Sequence, residues 1–371
     1  MSEQQRTIVI SAVNIRKGGT LTILRQCLEY LSQYAVNEKC RIVALVCSKD
    51  LAYFPNIEYI EIPWSVKSWI LRIWCEYVTM YRISRSLSPI YLWLSLHDTT
   101  PNVLAERQAV YCQTSFPFMR CRLQDWRFDY KIAIFSMLTK FVYRINIKKN
   151  IYLVVQANWL RNKFSNMFGI KPSKFIVSPP KSPIRIVLKN KDKNRSIVQF
   201  LFASTPDCHK NFEVLCNAAH LLEQEIGPNR FKVVLTISGD ENKYARWLYR
   251  KWGSIMSIKF IGFQNKEKLY KYYEQSDCLV FPSRVETWGL PISEFAQFDK
   301  PMLLADLPYA YETAAGSKYV AFFNPESPED LKTKMRMIVE GDTSMLKMVN
   351  CIEINDPKAM SWSELFNILL T

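Results

Sequence analysis

Apolar residues fall into two kinds of run along this chain. Short unbroken runs, rich in β-branched residues, occur at Thr7 to Val13, Arg41 to Cys47, Ile57 to Ile62, Tyr91 to Leu96 and Ala109 to Cys112. Such runs predict strands buried on both faces. Between them the spacing turns helical, as with Leu21, Leu24, Cys27 and Leu28 inside Thr20 to Tyr30. Ser65 to Ser86 predicts a long helix rich in Trp, Tyr and Arg. Alternation of this kind implies a parallel sheet with crossover helices.

The series stops at the proline-rich hinge Ser178 to Pro183 and the charged run Lys189 to Arg195, then begins again. Strands are expected at Ile197 to Ala203, Lys232 to Ser238, Ile258 to Ile261, Cys278 to Phe281 and Met302 to Ala305. Helices are expected at Phe212 to Glu225, near Asn242 to Trp252, at Lys266 to Gln275 and from Pro291. The reading is α/β, with two doubly wound domains at 1–180 and 181–355. A C-terminal helix within 356–371 is expected to pack back on the first domain. Ligands of such sheets bind outside the carboxyl ends of the strands, which makes the cleft between the domains the expected active site.

Composition adds exclusions. Of 371 residues, 49% are hydrophobic and 22% charged, the balance of a globular chain and not of a disordered one. The longest uncharged runs, Ser86 to His97 and Gln108 to Met119, are far shorter than the ~20 residues a membrane span needs. MSEQQRTIVI lacks the apolar core of a secretory signal, so a cytoplasmic chain is expected. The ten cysteines are scattered without a C-x-x-C pair, and the three histidines have no ligand spacing. Free thiols packed as small hydrophobes, and no metal, are therefore expected.

Charge is uneven. Residues 1–180 carry a net +13 and residues 181–371 a net +2. The first half is thus suited to a polyanion, either nucleic acid or an acidic membrane surface.

Three short segments could carry chemistry. Gly18-Gly19 follows the first strand and opens a helix, which fits an anion on free N–H groups but equally an ordinary tight turn. Glu286 to Glu294 (ETWGLPISE) places two carboxylates around a glycine loop, with Pro291 in the first turn of a helix. A diphosphate on the N–H groups and sugar hydroxyls on the carboxylates would fit. So would a glutamate that merely complements the helix dipole. Lys210, in His209-Lys210-Asn211, lies between a strand end and a helix start, as a phosphate-neutralising charge or a solvated surface lysine.

The segment from Ile258 to Pro325 resembles retaining glycosyltransferases of family 4 (glycosyl transferases group 1), which have the GT-B fold. The resemblance rests on IKFIGF, EKLYKYYEQSDCLVFPS, ETWGLPISEFAQFDKPMLLADLP and FFNPESPEDL, with STPDCHKNFEVL at 204–215 in support. It is strong in the second domain and loose in the first. It implies two Rossmann-like domains facing across a cleft. It also implies Glu294 at the nucleotide ribose, Glu286 at the donor sugar, Gly289 and Leu290 at the diphosphate, and Lys210 at the phosphate. Gly262 and Phe263 would lie near the base. Thr205 stands where many members carry an arginine, so the charge comes from Arg284 or Arg16, or the diphosphate relies more on helix dipoles. In the first domain Gln113 stands where relatives place a histidine. His97, one strand earlier, is either an active-site residue or a histidine satisfied within its loop.

What the resemblance implies is retaining transfer of a hexosyl group from a nucleotide diphosphate sugar, with no cofactor and no metal. The acceptor would be a saccharide, polyprenyl-diphosphate-linked, in bacterial cell-surface polysaccharide (O-antigen, capsule or lipopolysaccharide) biosynthesis. The basic half would hold the enzyme peripherally on the inner, anionic face of the cytoplasmic membrane. A nucleotide-sugar epimerase would share the donor site. A nucleic-acid-binding module would use the basic half, but no motif for one is present and none is expected as a partner.

Overall fold

A computed structural model describes residues 6–180 and 197–371. The charged run at Lys189 to Arg195, and the end of the hinge before it, lie outside the described residues. The chain divides into two compact units. One comprises Met1–Pro117, Leu138–Lys181 and Ile354–Thr371, the other Phe118–Met137 and Ser182–Glu353.

The first unit has seven strands: β1 (Thr7–Ala12), β2 (Arg41–Val46), β3 (Glu58–Glu61), β4 (Leu92–Ser95), β5 (Arg107–Cys112), β6 (Tyr152–Val155) and β7 (Phe175–Val177). Their order is β3-β2-β1-β4-β5-β6-β7, and every pair is parallel. Ile10 lies in register with Ala44 on one side and Leu94 on the other. All six residues of β1 are buried, as a strand covered by helices on both faces requires. The helices up to the hinge are α1 (Gly18–Asn37), α2 (Trp69–Trp74), α3 (Met80–Leu87), α4 (Leu123–Arg144) and α5 (Asn158–Phe168), of which α4 lies in the second unit up to Met137.

Where one helix was expected over Ser65 to Ser86, a 3₁₀ turn at Pro63–Val66 precedes α2, and a π turn at Cys75–Thr79 joins α2 to α3. The wider turn brings Glu76 inward, where it is 3% exposed and paired with Arg72. Two strands of this sheet, β6 and β7, had no counterpart in the sequence reading.

The second unit has six: β8 (Val198–Phe202), β9 (Phe231–Leu235), β10 (Ile258–Phe260), β11 (Cys278–Phe281), β12 (Met302–Ala305) and β13 (Val320–Phe323). Their order is β10-β9-β8-β11-β12-β13, again all parallel. Its helices are α6 (Phe212–Ile226), α7 (Lys243–Trp252), α8 (Lys266–Gln275), α9 (Leu290–Ala296), α10 (Pro308–Thr313) and α11 (Pro328–Glu340). Phe202 anchors the core, 4.5 Å from Phe212 and edge-on to Phe281 at 5.6 Å between ring centroids.

The last helix, α12 (Trp362–Leu370), belongs to the first unit. Ser361 caps it by accepting the Glu364 N–H. Trp362, Leu365, Phe366 and Leu369 join the same core as Cys27, Leu28 and Leu31 of α1. The approach to it is fixed by Arg161, which donates to the carbonyls of Asn355 at 2.8 Å and Pro357 at 2.7 Å. Phe118–Met137 falls in the second unit, where the sequence boundary at 180 would assign it to the first. No helix among the described residues is long and apolar enough to cross a membrane.

Candidate functional site

Strand order reverses between β8 and β11 in the second unit, and such a switch point leaves a crevice at the carboxyl ends. The two loops that leave those strands carry Lys210 and Glu286. After β8 the chain runs through a 3₁₀ turn at Cys208–Lys210 to Asn211, which adopts a left-handed conformation (φ +60°). The Asn211 side chain is fully buried and donates to the carbonyls of Pro282 at 3.2 Å and Pro325 at 2.8 Å. It therefore stitches together the loops after β8, β11 and β13. The backbone N–H of Arg284 adds a bond to His209 O at 2.8 Å, and Tyr309 donates to Ser283 O at 2.7 Å.

On that frame Lys210 Nζ lies 2.6 Å from Glu286 Oε1. Both side chains keep a little exposure, 16% and 12%, so the pair is reachable from solvent. Arg284 is turned inward to Asp125 at 2.5 Å. Thr205 donates its hydroxyl to Asp207 at 2.6 Å and brings no charge to the loop.

Glu294 lies on α9, whose start is shaped by Gly289. That glycine has φ +88°, and a Cβ there would stand 3.3 Å from Ile292 Cδ1. Any other residue would be strained in that conformation. Leu290 and Pro291 form the first turn. The Glu294 carboxylate accepts the Tyr273 hydroxyl at 3.0 Å. Burial pushes its pKa above the usual carboxylate range, partly offset by Tyr273 and by the Lys266 charge. Gly262 takes φ +73° after β10, and Phe263 beyond it is 84% exposed.

The first unit has its own switch point, between β1 and β4. Gly18 opens α1 with φ +71°, and Gly19 and Arg16 beside it are exposed. His97 follows β4 and is buried. Its Nε2 lies 2.9 Å from Ser11 Oγ, its Nδ1 2.9 Å from Thr99 Oγ1 and 3.6 Å from Glu76. Its ring is thus held between Ser11 of β1 and Thr99 of its own loop. Burial and the Arg72 charge hold its pKa well below the usual value. Gln113 is also buried and donates to Leu96 O at 2.7 Å. Beside it Asp98, in a left-handed conformation, accepts the backbone N–H groups of both Gln113 and Thr114.

Lys210, Glu286, Gly289, Leu290 and Glu294 are thus brought to strand ends and a helix start of one unit, with Gly262 and Phe263 after β10 of the same sheet. Gly18, Gly19, His97 and Gln113 belong to the other. Asn211, Asp125, Asp98 and Tyr273 were not among the residues the sequence singled out. Asn211 could have been suspected from its place directly after Lys210 at a helix start. Asp125, 159 residues from its partner, left no local signal. Among the described residues no group of three or more His, Cys, Asp or Glu could hold a metal ion.

Residues 186–353 match the family model of glycosyl transferases group 1. Solved structures share the architecture. The lipopolysaccharide outer core galactosyltransferase WaaB is 11% identical, with 91% of each chain covered and a TM-score of 0.61. Sucrose-phosphate synthase from Thermosynechococcus elongatus is 12% identical, with 92% of each covered and a TM-score of 0.62. HepE from Anabaena, solved with UDP and glucose, is 12% identical, with 91% of each covered and a TM-score of 0.60. The fold is GT-B. The match to the group 1 family lies within the second unit. No curated protein matches it.

Proposed function

We propose that this chain is a retaining glycosyltransferase that moves a hexosyl group from a nucleoside diphosphate sugar to a saccharide hydroxyl. The observation that carries the reading is the Lys210–Glu286 pair, held at 2.6 Å on the two switch-point loops and open to solvent. A diphosphate entering beside it competes for the lysine and frees the Glu286 carboxylate for a sugar hydroxyl. Glu294, one helical turn beyond Gly289, is the acceptor for ribose hydroxyls, while the N–H groups at Gly289 and Leu290 meet the diphosphate. Gly262 and Phe263 lie towards the base. HepE, of the same fold, has also been solved with UDP-glucose, which supports a nucleotide-sugar donor here.

In the reaction the bond between the anomeric carbon and the diphosphate oxygen breaks, and its electron pair leaves with the diphosphate. The acceptor oxygen bonds to that carbon on the same face, and its proton passes to the departing phosphate. Lys210 neutralises the charge as it develops, which is the contribution expected of a preorganised cation. No metal is needed for this step.

The acceptor we favour is a lipid-linked saccharide of a bacterial cell-surface polysaccharide, on polyprenyl diphosphate, met at the inner face of the cytoplasmic membrane. Its support is the +13 first half and α2, where Ile70 is 80% exposed and Trp69, Ile73 and Trp74 about half or more. Lys67, Arg82 and Arg85 are exposed nearby. Apolar and basic residues together suit an anionic interface. Arg122 is paired with Glu326 and so is not part of that surface.

The decisive experiment is a thermal-stability screen with UDP-, GDP- and dTDP-sugars, followed by transfer assays. A donor at 100 times its Kd should add about 2.7 kcal/mol. A chain that none of them stabilises, and that transfers no sugar, would overturn the reading. Cosedimentation with anionic but not neutral liposomes, weakened by salt, tests the membrane part separately.

A further inference from the structure

Phe118–Met137 comes from the first half of the sequence yet belongs to the second unit. Three side chains hold it there. Arg122 pairs with Glu326 and donates to Asn211 Oδ1 at 3.2 Å. Phe128 lies 5.2 Å from Trp247, centroid to centroid. Between them Asp125 meets Arg284, and these two side chains are 2% and 7% exposed.

The Arg284 guanidinium is divided among several acceptors. Nη2, besides Asp125, donates to Cys208 O at 3.2 Å, and Nη1 donates to Arg120 O at 3.1 Å. Its own backbone N–H holds His209 O at 2.8 Å. One buried ion pair therefore grips the turn that ends in Lys210 and the loop that reaches Glu286 two residues later. Burying two charges is costly in desolvation, and an apolar pair of like volume would often stabilise as well or better. What an apolar pair lacks is the planar fork that bonds in several fixed directions.

We propose that Asp125 is a positioning residue for the phosphate-binding lysine: it locks Arg284, and through Arg284 sets the spacing of Lys210 and Glu286. The inference rests on the donor-site reading above. It also assigns Arg284 an internal task, leaving the diphosphate to Lys210 and backbone N–H groups.

The test is calorimetric titration of UDP, GDP and dTDP, and of uridine, guanosine and thymidine, into the full chain. Wild type, Asp125→Asn, Lys210→Ala and the double variant are compared. Asp125→Asn should weaken the preferred diphosphate about fivefold or more, leave its nucleoside unchanged, and add nothing to Lys210→Ala, as for residues acting through one contact. Arg284→Lys keeps the charge but loses the fork, and should give the same pattern if Asp125→Asn does not fold. Losses that multiply, losses equal for nucleoside and diphosphate, or wild-type affinity in both variants would overturn the positioning role alone. A wild type that binds no diphosphate, or binds it regardless of Lys210, would overturn the donor-site reading and this inference with it.

Discussion

The two units share one plan, a parallel sheet whose strand order reverses near the middle, but they treat the ends of their strands in opposite ways. In the first unit the switch point is closed over a buried, uncharged histidine: His97 sits among Ser11, Ser95 and Thr99. Nearby carboxyl groups face inward, Glu76 to Arg72 and Asp98 to two backbone N–H groups. Arg72 Nη1 and Gln113 Oε1 there have no hydrogen-bond partner among the described residues, so this buried network is only partly satisfied. In the second unit Lys210 and Glu286 face each other and keep some contact with solvent. An ion pair with residual exposure can be opened by a stronger anion. The two switch points thus differ in what their charges meet, and function follows the site and not the fold.

The sharpest way to break this contrast is to remove the displaceable charge. Lys210→Ala should lower sugar transfer about ten- to hundredfold, the worth of a charged hydrogen bond. Lys210→Arg should cost less, and chelation by EDTA should cost nothing. Complete loss on chelation, restored by a divalent ion, would show that a metal carries the diphosphate.

Next in size is the division of labour between the two glutamates. Glu294→Ala should raise the Kd for the nucleotide about tenfold, while Glu286→Ala should reduce turnover more than it reduces affinity. Equal effects on both quantities in both variants would erase the distinction.

A smaller effect separates the first unit by pH. Burial lifts the Asp98 carboxyl from 3.8 to about 7. Between those values the folded chain keeps a proton that the unfolded chain releases, so stability contributed by this group is lost as pH rises from about 4 to 7. Arg72, Glu76, His97, Cys112 and Tyr143 are the titratable groups around it. His97 runs the other way: held neutral when folded, it costs stability as pH falls below about 6.5. Asp98→Asn should therefore flatten the first slope and leave the second. Chemical denaturation at pH 4.5, 6 and 7.5 would read both, and an unchanged slope in Asp98→Asn would remove the carboxyl from the account.

How much of this could be read from the sequence depended on how local each signal is. The strands β1, β2, β4, β5, β8, β9, β11 and β12 announce themselves because unbroken apolar runs are what two-sided burial demands. β7 is only three residues long, and β6, in the run Ile151 to Val155, carries the same kind of signal and was passed over. The π turn at Cys75–Thr79 escaped notice because sequence periodicity was measured against 3.6 residues per turn, which a single wider turn does not visibly disturb. Lys210, Glu286 and Glu294 were legible because each follows a recognisable strand at fixed distance. Asp125 was not, since its meaning comes from an arginine far along the chain.

The return of α12 to the first unit has a bearing on how the protein is made. The first unit finishes its core only with Trp362, Leu365, Phe366 and Leu369, and Arg161 needs the Asn355 and Pro357 carbonyls to seat it. At roughly 5–20 residues per second, translating the stretch between Lys181 and Ile354 keeps the nascent first unit waiting on the order of ten seconds or more. During that interval the surface of α1 that later receives α12 is uncovered on the ribosome. A folding order in which the second unit closes before the first is complete follows from this connectivity, the reverse of their order in the messenger.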